Sequence, residues 1–218
     1  LGPLFLFAII LFVFSQRLGS NVNHYPLYLL MGIVTWNFFV TGSSRCMTVL
    51  SGNAALLKSL PIKIEILLIS AVLYTFITHV FELIMFGLFM YWYQVTPGYI
   101  ALYFIVLFIG FIFTLGVGFF LSSLYVLMRD VEQIWSVLTR AWWFATPIFY
   151  VPTPGGRGEY ISQFNPLYYM VHLPRELLIY HRIPPISDFA VFTAFALITF
   201  VIGYSIFNRN RVHFIERL

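Results

Sequence analysis

Apolar residues run along this chain in long unbroken blocks, and the short polar breaks between them mark out its elements. The blocks cover residues 1–15, 26–49, 62–93, 99–127, 134–150 and 189–207. A bilayer's hydrocarbon core, roughly 30 Å thick, takes about 20 apolar residues per helix. The pattern therefore predicts six transmembrane helices. The first block is short for a span; the third is longer than needed, and so tilted or extended beyond the lipid. A β-barrel would alternate apolar and polar residues over about ten positions. The continuous runs at 66–73 and 99–113 do not alternate, so helices are expected to satisfy the backbone.

The breaks carry their own signals. Pro26 opens the second block, and Pro97-Gly98 makes 94–98 a tight turn. In 51–61, Asn53 is an N-cap candidate and Pro61 a stop, which predicts a short amphipathic helix over 53–61 outside the membrane core. Residues 151–187 are the least membrane-like part. Pro152, Pro154, Gly155, Gly156 and Gly158 form a loop, followed by helical pieces near 160–164 and 167–179 with Asn165-Pro166 between them. Both pieces are too short to span, so interfacial or re-entrant helices are expected before the last span. The expected fold is an all-α integral membrane protein, one transmembrane domain over 1–218.

Composition supports that picture. Hydrophobic residues make up 61% and charged residues 9%, against roughly 25% charged in soluble domains, so there is no separate soluble domain. The net charge of +4 is dispersed near helix ends and reads as a topology signal, not as nucleic-acid binding. Cys46 is the single cysteine, which excludes an internal disulfide and a multi-cysteine metal site; it is expected to be a small buried residue near a helix end. Lys and Arg in short loops set orientation. One side holds Arg45, Lys58, Lys63, Arg129, Arg209, Arg211 and Arg217, joined by Arg140 in one assignment; the other holds Arg17, Arg157, Arg175 and Arg182, offset by Glu159, Glu176 and Asp188. The richer side, with 53–61, 128–132 and the C-terminus, is expected in the cytoplasm, and 151–187 outside. Residues 1–14 lack a basic region and a cleavage site, unlike a signal peptide, and a preceding N-terminal segment is expected.

Five stretches, in this order, carry a resemblance. They are Pro26-Leu27-Tyr28-Leu29-Leu30-Met31-Gly32 with Trp36-Asn37-Phe38-Phe39; residues 53–61; and Leu124-Tyr125-Val126-Leu127-Met128-Arg129-Asp130-Val131. The last two are Ala145-Thr146-Pro147-Ile148-Phe149-Tyr150 and Phe164-Asn165-Pro166-Leu167. Together they resemble the transmembrane subunit of bacterial ABC exporters for cell-surface polysaccharides: O-antigen, capsule and wall teichoic acid. The resemblance implies an inner-membrane homodimeric channel for a lipid-linked polysaccharide and two separate ATP-binding subunits that hold ATP and Mg. It also implies a cytoplasmic amphipathic helix before the first span. Within the chain itself no cofactor or metal is expected.

The resemblance makes 53–61 the coupling helix, with Asn53 at its start, Leu56, Leu57 and Leu60 as apolar anchors in a partner groove and Lys58 on the polar side. An interfacial helix resting on headgroups is the alternative. Arg129 and Asp130 either support the same docking or anchor a helix end. Aromatics form 20% of the chain. Trp142, Trp143, Phe144, Phe149 and Tyr150 are candidates for a channel wall on which sugar rings slide, or else belong to an interfacial belt. Tyr168, Tyr169 and His172 are candidates for a gate at the outer mouth, or else for an interfacial hairpin over the dimer. Gly110, Gly116 and Gly118 permit close helix packing.

His79 and Glu82, three apart, share one face of the third span. Ionisable groups at such depth are functional candidates, which keeps open an ion-coupled carrier or a membrane enzyme. An internal polar pair, or a bond to another helix at Arg140, fits an ATP-driven machine better. A drug or small-lipid exporter of the same superfamily is the nearer alternative. The 218 residues contain no G-x-x-x-x-G-K-[ST] loop, so ATP is not bound by that route.

Overall fold

The computed structural model describes residues 2–18, 22–59, 63–152, 156–211 and 214. Helices account for all its regular structure among these residues: α1 (Gly2–Leu18), α2 (Tyr25–Gly52), α3 (Ala54–Ser59), α4 (Ile64–Trp92), α5 (Ile100–Leu127), α6 (Val131–Ala145), α7 (Arg157–Gln163), α8 (Pro166–Leu178) and α9 (Ile186–Asn210).

Four of them, α2, α4, α5 and α9, are long and apolar enough to cross a membrane. At 17 and 15 residues, α1 and α6 fall short of the roughly 20 that a span takes. The fifth apolar block does not stay helical to its end, because Pro147 has no N–H to donate. Helix α6 stops at Ala145, and 146–150 continues as turns and bends.

Local chemistry explains the boundaries. The α2 helix starts behind His24, whose left-handed backbone (φ 55) sends its carbonyl to the amides of Leu27 and Tyr28. The α4 helix ends in a Schellman motif: Gln94 is left-handed (φ 54), Val95 N–H donates to Met90 O and Gln94 N–H to Tyr91 O. Asn53 does not cap α3 with its side chain as expected. Its Nδ2 donates back to the Val49 carbonyl at 2.8 Å, serving the end of α2, whose last carbonyls lack helical partners. Pro61 lies outside the described residues.

The chain divides into two compact units. The first comprises residues 1–37, 79–108 and 141–192, and the second 38–78, 109–140 and 193–218. The first buries Leu27, Leu29, Leu30, Met31 and Ile33 of α2 and Leu173 and Leu177 of α8, and sets Phe7 edge-on to Phe89 at 5.5 Å. The second centres on Cys46, Leu50, Leu57, Leu68, Val72, Phe119 and Phe207; Cys46 is buried as expected. There Gly116 lets α5 approach α9, since a Cβ would lie 2.6 Å from Phe200 Cα.

The windows of α2 and α5 are mostly buried, and those of α4 and α9 mostly exposed. The exposed residues of α4 include Ile66, Ile69, Leu73, Ile77, Ile84 and Leu88, an apolar stripe at helical spacing suited to lipid.

Candidate functional site

The first unit is organised around a buried cation. Asn165 and Pro166 start α8, whose buried positions Leu167, Met170, Val171, Pro174, Arg175 and Leu178 recur at helical spacing. Arg175 therefore occupies a position where an apolar residue is expected, and it is only 3% exposed. Its Nη1 donates to Pro147 O at 2.7 Å, Nη2 to Ile148 O at 2.6 Å and Nε to Tyr28 O at 3.0 Å. Its guanidinium lies 3.4 Å from the Tyr28 ring centroid, a cation–π contact.

Each partner is available for a local reason. Pro147 ends α6 and frees its own and the next carbonyl. Gly32 makes room, because a Cβ there would run into Arg175 Nη2 and crowd Ile148. Burial lowers the Arg175 pKa while the neighbouring tyrosines Tyr28, Tyr180, Tyr25 and Tyr168 raise it; arginine remains charged. Counted among the cations of the outer side and falling in the expected 167–179 piece, Arg175 is buried and not at the surface.

A second junction forms at Asn165. Its Oδ1 accepts from Leu167 N–H at 3.0 Å, capping α8, and from Trp142 Nε1–H at 3.0 Å. Its Nδ2 donates to Thr146 Oγ1 at 3.0 Å and to Ala145 O at 3.4 Å. The 145–150 stretch of the family resemblance thus touches two others, 26–32 through Tyr28 and 164–167 through Asn165.

This junction also sorts the aromatic candidates. Trp142 and Trp143 are half-buried; Trp143 packs edge-on against Trp36 at 5.4 Å. Phe149 and Tyr150 are half-buried in the turn, where Tyr28 Oη–H donates to Tyr150 O at 2.9 Å. Phe144 alone of the five is exposed, at 67%. The five aromatics expected on one wall thus differ in exposure within the chain.

Beside Arg175 lies a cavity of about 420 Å³, lined among others by Tyr28, Tyr168, His172, Glu176, Tyr180 and Arg182. Tyr168 and His172 stack in parallel with centroids 5.0 Å apart. Tyr169 packs edge-on against Tyr168 at 5.2 Å but does not line the cavity: it is buried, and its Oη–H donates to Gln163 O at 3.0 Å. Burial and then Arg175 pull the His172 pKa down to about 4, against Asp188. Burial pushes Tyr180 up to about 12. The end of α8 is fixed to the 94–99 turn, where the amides of Gly98 and Tyr99 donate to the carbonyls of Leu178 and Leu177, and His181 Nε2–H donates to Thr96 O at 2.6 Å. Aromatic faces beside a carboxylate and a guanidinium offer stacking and hydrogen bonds together.

His79 and Glu82 do pair, Nδ1 to Oε2 at 3.4 Å. The bond to another helix comes from Asn37 on α2, whose Nδ2 donates to Glu82 Oε1 at 2.6 Å, and not from Arg140. Arg140 donates to Ser136 Oγ one turn back.

In the second unit, Leu57 is 7% exposed and part of the core. It packs α3 onto its own body, so that the side chain expected as a partner anchor is buried within the chain itself. Leu56 and Lys58 face out, and Leu60 lies outside the described residues. Arg129 and Asp130 are exposed. Arg129 stacks over Tyr125 at 4.9 Å, and the Asp130 carbonyl accepts the first turn of α6 from Ile134 N–H, where a carboxylate also suits the helix dipole. No group of three metal-ligating side chains occurs among the described residues.

Sequence reasoning gave Arg175, Asn165, Tyr28 and Gly32 no site role. The available signals were one arginine on the apolar stripe of 167–178, and an Asn-Pro pair opening an apolar run.

Comparison with known proteins follows this geometry. The family model described as ABC-2 type transporter matches residues 1–179. An O-antigen export system permease protein RfbA of Myxococcus xanthus is 24% identical over 223 aligned positions, covering 100% of this chain and 85% of the relative. Two permease proteins of the same name from Klebsiella pneumoniae are 25% and 24% identical, with the same coverage.

Proposed function

This chain belongs to the ABC-2 type transporter family as a permease subunit, and from that premise we propose that it exports a lipid-linked cell-surface polysaccharide of the O-antigen kind. The carrying observation is similarity along the whole chain to three O-antigen permeases. As a multi-pass membrane protein of this family, it works with ATP-binding subunits.

In this reading two copies form the channel in the bacterial inner membrane, with six spans each and the C-terminus in the cytoplasm. The spans are α1, α2, α4, α5, α9, and α6 together with the turn after it. Two ATPase subunits, which carry ATP and Mg, seat on α3 and on the 128–132 turn. Leu56, Lys58, Arg129 and Asp130 offer the exposed contacts, and Asn53 and Leu57 transmit their movement into the second unit. Phe144 faces the polysaccharide path. Helices α7 and α8 form the outer gate, with Tyr168 and His172 beside the cavity. The bonds of Arg175 make α8 follow any movement of α2 and of the 146–150 turn. Support for this last point is direct: two donors on one guanidinium hold two successive carbonyls freed by Pro147.

The test is complementation. A strain lacking this gene should lose long-chain surface polysaccharide and regain it with the intact chain. Co-purification with an ATP-binding subunit should yield ATPase activity. Export of short lipids or drugs with unchanged surface polysaccharide would overturn the reading.

A further inference from the structure

In the second unit, α2 and α6 border a groove of about 480 Å³ into which Arg45 and Arg140 both contribute. Both are exposed. Arg140 gives one N–H to Ser136 Oγ at 2.7 Å, and the Arg45 guanidinium stacks on the Tyr74 ring at 4.4 Å. Neither has an ion-pair partner among the described residues. Among the described residues Glu132 is the one carboxylate lining the groove, and it accepts a hydrogen bond from Tyr125 at 3.2 Å. Two cations therefore face one anion.

Their positions along the helices make this excess informative. Arg140 lies nine residues into α6 from Val131, about 14 Å at 1.5 Å per residue. Arg45 lies seven residues before Gly52 at the end of α2, about 10 Å inside. On the six-span reading, with the end of α2 and the start of α6 at the cytoplasmic boundary, cations this far along two spans are costly and mark binding paths unless they meet an opposite charge. A guanidinium presents a planar fork suited to phosphate oxygens. A tetrahedral polyoxo anion presents several oxygen edges, each able to take a fork face-on, whereas a carboxylate has a single edge for bidentate pairing. Val40 and Met47 line the same groove and provide apolar surface for a hydrocarbon tail next to the charge.

We propose that this groove binds the phosphorylated headgroup of the lipid anchor that carries the cargo, with Arg45 and Arg140 as its cationic contacts. The proposal rests on the reading above, that the cargo is lipid-linked. The site thus reads the anchor and leaves the sugar sequence unread.

The test uses the full chain purified in nanodiscs of zwitterionic lipid and titrated with farnesyl pyrophosphate, farnesol or phosphatidylglycerol. Farnesyl pyrophosphate should bind, with Arg45→Gln and Arg140→Gln each weakening it by about tenfold, the scale of one charge-assisted hydrogen bond. Arg140→Lys, which keeps the charge without the fork, should fall between. Arg209→Gln, which changes an exposed cation outside the groove, should leave binding unchanged. Unchanged affinity in both groove variants, or equal binding of farnesol, overturns the site; equal competition by phosphatidylglycerol overturns its assignment to the cargo anchor. If Arg140→Gln fails to fold, Arg45→Gln and Arg140→Lys decide by the same criteria. Binding needs neither ATPase nor export, so a chain that binds as expected but exports no polysaccharide would refute the export reading alone.

Discussion

Replacing Gly32 or Arg175 tests whether one buried guanidinium holds the first unit together. Arg175→Ala removes three charge-assisted hydrogen bonds, at 2.6, 2.7 and 3.0 Å, each contributing about 1.5–3 kcal/mol. Pro147 O keeps a donor, Tyr28 Oη–H at 3.3 Å, whereas Ile148 O loses the guanidinium. Relief from burying a charge returns several kcal/mol. The net loss should be about 2–4 kcal/mol, or roughly 5–15 °C in Tm for a chain of this size. Gly32→Ala should cost a similar amount, because its Cβ must displace Nη2 of Arg175. The decisive measurement is the double-mutant cycle by thermal unfolding in detergent. Once Arg175 is gone the methyl meets only the looser contacts with Ile148, so the double variant should recover at least about 1 kcal/mol relative to the sum, as contacting residues do. Strict additivity would refute the claim that Gly32 is small on account of Arg175.

Asn165→Ala should cost about 2–3 kcal/mol, by loss of the α8 cap and of the bond from Trp142, with a change in Trp fluorescence as a second readout. The His172 pKa is held down to about 4 from the ordinary 6.5, so the unfolded chain binds a proton between those values and the folded chain does not. Stability should therefore be complete above pH 6.5 and fall towards pH 4, by at most about 3 kcal/mol; His172→Gln should flatten that slope in unfolding scans. Leu57→Ala should destabilise by about 2–3 kcal/mol. Leu56→Asp with Lys58→Glu should leave Tm unchanged yet uncouple ATP hydrolysis from export, and normal coupling there would remove α3 from the docking surface. His79→Gln with Glu82→Gln should retain ATP-driven export; complete loss with intact assembly would favour an ion-coupled carrier.

Hydropathy alone established an all-helical chain made for lipid, because an unbroken apolar block has only a helix with which to satisfy its backbone. It also located the turns at 94–98 and 128–132, since Pro, Gly and charged residues act within a few positions of themselves. The family could be read from short stretches, though not the reason for them. Tyr28, Gly32, Pro147 and Asn165 lie up to 137 positions apart in sequence (165 − 28), and only tertiary structure brings them around Arg175 and Trp142. Charge counting could not show that Arg175 is buried, because sequence shows that a residue is charged but not where its three carbonyl partners lie. Leucine spacing left the burial of Leu57 unread for a similar reason. The amphipathic face of a short helix is set by whichever body it packs on, and here that is its own core. Composition determined the solvent of this protein, and long-range packing decided which of its polar groups are structural bolts and which stay free to meet a ligand.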